Sequence, residues 1–188
     1  MRSQALCASC IVLALLAGCG GSSSSLTGKV QAPKGYEPYR GPGYSIIVPT
    51  GWRRSPYRTD ATHSGVEFVT PGPTPVNAAY PFVQTLLSTP TATHSADQDF
   101  GDLIADLRSE PTTILPSRQA LANSVTISTV KVPNASQARL VTLLGPGQRH
   151  EQDLVTLTRE GVVELSVAWY PANEPLKPTV VIDSLRLH

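Results

Sequence analysis

The sequence predicts an α+β domain, an antiparallel β-sheet flanked by helices. Three features point there. Extended, period-two segments crowd the second half of the chain, at Val125 to Val132, Ala138 to Leu144, Leu154 to Thr158 and Val162 to Tyr170. Arg159-Glu160-Gly161 joins the last two as a tight hairpin link. One amphipathic helix, Ser95 to Glu110, is inserted among the strands. Runs of adjacent hairpins around one long helix suit an antiparallel sheet with helical cover.

The domain follows an export signal. Arg2 is the only charge before Cys19, and Ala5 to Leu16 is apolar or small throughout, the length of a secretory h-region. A membrane-spanning helix needs roughly 20 apolar residues, and the polar run Gly20 to Ser25 stops this one short. Leu16-Ala17-Gly18-Cys19 resembles a bacterial lipobox, where signal peptidase cuts before a cysteine that carries lipid. The expected divisions are a signal peptide at 1–18, a lipid-anchored flexible linker at 19–35 and a folded domain at 36–188. Each buried acyl CH₂ contributes about 0.8 kcal/mol, so two or three chains on Cys19 give a stable membrane anchor. The expected location is extracytoplasmic, on the cell membrane.

Composition narrows the chemistry. The chain has 188 residues and a formal charge of +1, which becomes zero once Arg2 leaves with the signal. A neutral protein has no general pull toward nucleic acid. The three cysteines are Cys7, Cys10 and Cys19. The folded domain therefore has no disulfide, no cysteine zinc site and no thiol nucleophile. Arginine outnumbers lysine and Ala, Pro, Thr and Val are plentiful, which suits a GC-rich, actinobacterial genome.

The first half reads as follows. Lys29 to Pro42 is rich in Pro and Gly and reads as linker running into the domain edge. Tyr44 to Val48 alternates like a strand and stops at Pro49-Thr50-Gly51. Val66 to Thr70 and Phe82 to Ser88 are short strands. Ser95 is the N-cap of the helix, with Gln98 three residues on as in a capping box. Phe100, Leu103, Ile104 and Leu107 form its apolar stripe. Asp97 and Asp99 lie in the first turn, where the helix dipole favours negative charge. Val163, Leu165, Val167 and Trp169 share the core-facing side of their strand. Pro178 to Leu185 reads as a short helix leading into a final extended piece.

Gly43-Tyr44-Ser45-Ile46-Ile47-Val48-Pro49-Thr50-Gly51-Trp52 resembles the opening of PsbP-like domains. The middle helix, the Gly161 hairpin and the closing Ile182-Asp183-Ser184-Leu185 fit as well. With the tether, the chain looks most like the LpqN/LpqT-type lipoproteins of actinobacteria. That resemblance implies an antiparallel sheet between helices and a binding, accessory or assembly role without a catalytic site. Pro171 to Pro178 is a departure, because the family often has a longer helix there.

The residues themselves offer little catalytic chemistry. His150-Glu151-Gln152-Asp153-Leu154 starts like H-E-x-x-H, but Leu154 occupies the second histidine position. It reads as a solvated strand entrance. Asp97, Asp99 and Asp102 lack the bidentate carboxylate of a calcium loop, since Arg108 stands at the twelfth position. Asp60, His63 and Ser64 are neighbours in sequence, which does not build a triad. No cofactor, metal or catalytic residue is expected. The candidate binding residues are Arg53, Arg54, Tyr57 and Arg58, taken as a basic loop after the first strand. Guanidinium forks suit phosphate and carboxylate, so the expected partners are an anionic lipid, a wall polymer or an exported protein. Trp52 beside them reads as a core residue. A non-enzymatic, lipid-anchored envelope binding module is the leading expectation. An envelope hydrolase or transferase with an unrecognised site is the alternative.

Overall fold

The computed structural model describes residues 31–72, 80–109, 125–143, 150–170 and 176–188. Cys19 lies outside them. The strands are β1 (Tyr36–Gly41), β2 (Tyr44–Pro49), β3 (Arg53–Tyr57), β4 (His63–Val69), β5 (Phe82–Ser88), β6 (Val125–Thr129), β7 (Gln137–Leu143), β8 (His150–Leu157), β9 (Val162–Trp169) and β10 (Arg186–Leu187). Helix α1 (Ala96–Ser109) follows β5, and α2 (Pro178–Ile182) precedes β10. The strands form a seven-stranded sheet, β3-β4-β5-β9-β8-β7-β6, and a three-stranded sheet, β1-β2-β10. Every pairing is antiparallel. The antiparallel α+β layout expected from the sequence is the one observed. No helix among the described residues is long and apolar enough to cross a membrane.

The large sheet has two faces, set by strand alternation. One carries Val66, Phe68, Val83, Leu87, Leu154, Val163, Leu165, Val167 and Trp169. It is covered by Tyr44, Ile46 and Val48 of β2, by Val181 and Ile182 of α2, and by Leu185 and Leu187 beyond. The expected β9 stripe is therefore the core. Trp52 packs partly buried against the same cluster. The opposite face packs Val141, Val155, Leu157 and Val162 under Phe100 and Leu107 of α1, with Leu103 and Ile104 half-buried beside them. The capping box forms as expected. Gln98 Oε1 accepts from the Ser95 N–H at 2.9 Å, and Ser95 Oγ accepts from the Gln98 N–H at 3.2 Å.

Two segments read as linker and loop are strands. Tyr36–Gly41, read as linker, is a strand paired along the whole of β2. Its Pro38 and Gly41 obscured it, yet β1 is an edge strand, where proline is tolerated. Gly41 is required because the Tyr44 ring lies where its Cβ would stand. Arg53–Tyr57, read as a loop, is also an edge strand, with Pro56 inside it. The Gly161 hairpin is present, closed by Thr158 N–H to Gly161 O at 2.8 Å. Gly161 has φ +143°, and a Cβ there would run into the Ser88 carbonyl oxygen.

The chain end is fastened by a side chain standing in for a strand. β10 pairs with β2 through Arg186 and Leu187 opposite Ser45 and Tyr44. Continued two residues on, that register sets Ser184 opposite Ile47. Ser184 Oγ accepts the Ile47 N–H at 2.9 Å and donates to Val181 O at 2.6 Å. Ser184→Ala should leave the buried Ile47 N–H without this acceptor and cost about 1–3 kcal/mol. Urea unfolding should show a lower midpoint at unchanged slope. A loss under ~0.5 kcal/mol would show that β2 does not depend on this hydroxyl.

Candidate functional site

Two concavities beside the large sheet stand out by their charge. The first lies on the helix-covered face, where polar residues recur at period two. Register sets Gln84 of β5 opposite Ser166 of β9, and Ser166 opposite Asp153 of β8. Glu164 and Glu151 stand on the same face. With Asp99, Asp102 and Asp106 of α1, and Tyr57, Arg58 and His63, they line a groove of about 440 Å³. Glu151 is 6% exposed and Asp153 is 1% exposed. This corrects the reading of residues 150–154 as a solvated strand entrance: β8 begins at His150 and lies inside the sheet. Alternation of Glu151-x-Asp153 and Glu164-x-Ser166 with apolar residues is the sequence signal for this polar strip. Among the described residues, no three of His, Cys, Asp or Glu are grouped to hold a metal ion.

The β3–β4 hairpin is built around Asp60. Its Oδ1 accepts from the Thr62 and His63 N–H groups, each at 2.8 Å, and from the Thr62 hydroxyl at 3.0 Å. His63 Nδ1 lies 2.9 Å away. These bonds, led by the Thr62 N–H, hold the Asp60 carboxyl well below the usual carboxylate range. The arrangement is a turn and not a triad. His63 faces the groove, whereas Ser64 lines the other side of the sheet.

The second concavity, of about 910 Å³, lies between the edge strands β1 and β3. Tyr39, Arg40, Tyr44, Arg54, Thr59 and Ser64 are in its lining. The Arg54 guanidinium sits 4.9 Å over the centre of the Tyr39 ring. Tyr39 meets Phe68 edge-on at 5.0 Å. Below it, the Tyr44 and Thr85 hydroxyls are hydrogen-bonded to each other. Burial pushes the Tyr44 phenol up to about 12, so it remains a neutral O–H.

The candidate binding residues are therefore separated. Strand alternation sends Arg53 and Arg54 to opposite faces. Arg54 joins the edge cleft, whereas Tyr57 and Arg58 border the carboxylate groove. Arg58 takes φ +38°, where the chain turns out of β3. Tyr39 and Arg40 were missed, because the segment holding them reads as linker.

No family model and no curated protein matches the sequence. Among solved structures, the chain is similar to the solution structure of cyanobacterial PsbP (CyanoP) from Synechocystis sp. PCC 6803. The identity is 13% and the TM-score 0.48, over 92% of this chain and 99% of that one. At that level the likeness transfers no activity or partner.

The Asp60 turn has a pH signature. A carboxylate held below its ordinary value stabilises the fold above the unfolded value, about 3.9. That contribution fades as pH falls through the lower folded value. Asp60→Asn should therefore lose less stability than the parent between about pH 4 and pH 2, measured by thermal melts. Parallel acid limbs for the two proteins would remove Asp60 from the account.

Proposed function

We propose that the chain is a non-enzymatic, lipid-anchored cell-envelope protein of the LpqN/LpqT type. Its PsbP-like domain binds an envelope component or an exported partner. The anchor is Cys19, within Leu16-Ala17-Gly18-Cys19. The tether holds the domain at the outer side of the cell membrane, where a high effective concentration makes weak contacts count. The observation that carries the binding reading is the cleft between β1 and β3. It is open, about 910 Å³, and walled by residues of two separate sheets. Arg54, 4.9 Å over the Tyr39 ring, brings a charged fork to it.

The test places a photo-crosslinking residue at Thr59, which is exposed and lines the cleft, and separately at Asp97, exposed on α1. Irradiated cells should give a discrete adduct from position 59 and none from position 97. Cys19→Ala should remain as unprocessed precursor, fail to incorporate labelled fatty acid and lose the adduct. Identical adducts from both positions, or none from either, would overturn the reading.

A further inference from the structure

We propose that the β1–β3 cleft is an anion site for a phosphodiester, with Arg54 as its principal donor. This rests on the binding reading above and names the chemistry of the ligand. The lining of this cleft contains arginine, hydroxyl and aromatic residues and no carboxylate. The groove across the sheet is the reverse, with six carboxylates in its lining. Among the described residues, the ion pairs within 4 Å are His63–Asp60, His94–Asp99 and His94–Asp102. Arg54 is in none of them.

Arg54 also rests on a ring. Its guanidinium rests on Tyr39, and Tyr39 is held by Phe68 at 5.0 Å and Tyr44 at 6.3 Å. A guanidinium over a ring face keeps N–H donors free for an acceptor. Thr59 and Ser64 line the same cleft with hydroxyls that donate to phosphate oxygens. The cleft exceeds what a bare phosphate needs, which leaves room against Tyr39, Pro42 and Pro56 for the alcohols esterified to it. A phosphodiester, with two free oxygens and two substituents, matches both parts. A lipid headgroup and a soluble phosphodiester share this chemistry.

The experiment uses the processed full chain in nonionic micelles and calorimetric titration. One arm adds soluble glycerophosphoglycerol. The other adds phosphatidylglycerol to the micelles, with succinate as the carboxylate control. Binding in either arm, weakened roughly ten-fold or more by Arg54→Ala and progressively by salt, supports the proposal. Binding only in the micelle arm identifies the headgroup as the source. Arg54→Lys keeps the charge but not the fork, so it should also bind more weakly. Arg108→Ala, an exposed arginine at the end of α1, should bind like the parent. Failure of the parent to bind in both arms would overturn the proposal, as would equal affinity in an Arg54→Ala variant of parental melting temperature. A Thr59 adduct that persists while phosphodiester binding is absent would keep the binding reading and discard this one. Phosphodiester binding without the adduct would do the opposite.

Discussion

An apolar face on a seven-stranded sheet must be covered, and here most of the cover is a second, smaller sheet. Leu165, Val167 and Val163 in the middle of the large sheet are almost wholly buried. Burying each such side chain contributes roughly 1.5–3 kcal/mol. β2 supplies Tyr44, Ile46 and Val48 against them. A tyrosine in that position brings a hydroxyl into the core, where an unmade hydrogen bond is costly. Thr85, fully buried on the facing strand, provides the partner. The Tyr44–Thr85 bond is thus a buried polar contact from the small sheet to the large one.

The cleft follows from that placement. With Tyr44 seated on Thr85, β1 lies beside β3, and Tyr39 reaches Phe68 of the large sheet. Arg54, leaving β3 on the same side, is then laid on Tyr39. Gly41 contributes by having no side chain, which lets the Tyr44 ring cross it. The opposite face is governed by α1, whose apolar stripe covers part of the sheet and leaves the carboxylate groove beside it. One domain thereby carries a cationic cleft and an anionic groove on opposite sides of one sheet, at zero formal charge for the chain after residue 18.

Much of this was legible in the sequence wherever periodicity was clean. Phe82–Ser88, the capped helix and the Gly161 hairpin lie where their patterns place them. The two missed strands share one physical cause. β1 and β3 are edges, so each needs pairing on one side only and tolerates a proline. Their exposed residues show no apolar alternation. The same gap hid the site. Arg53, Arg54, Tyr57 and Arg58 are adjacent in sequence, and adjacency suggested one patch. On a strand, neighbours point apart, so Arg54 meets Tyr39 while Tyr57 turns to the groove. Glu151 and Asp153 looked solvated because charge usually marks surface. Only the register of β8 between β7 and β9 shows that they are buried.

A double-mutant cycle across the two sheets measures the central interaction most directly. Tyr44→Phe and Thr85→Val each remove one hydroxyl and keep nearly the same shape. Each alone should cost about 1–3 kcal/mol, since each leaves the other hydroxyl buried without this bond. Together they should cost less than the sum, with a coupling of about 0.5–3 kcal/mol in denaturant unfolding. Additive losses, with no coupling, would contradict the account and leave this hydroxyl pair with no part in holding the sheets together.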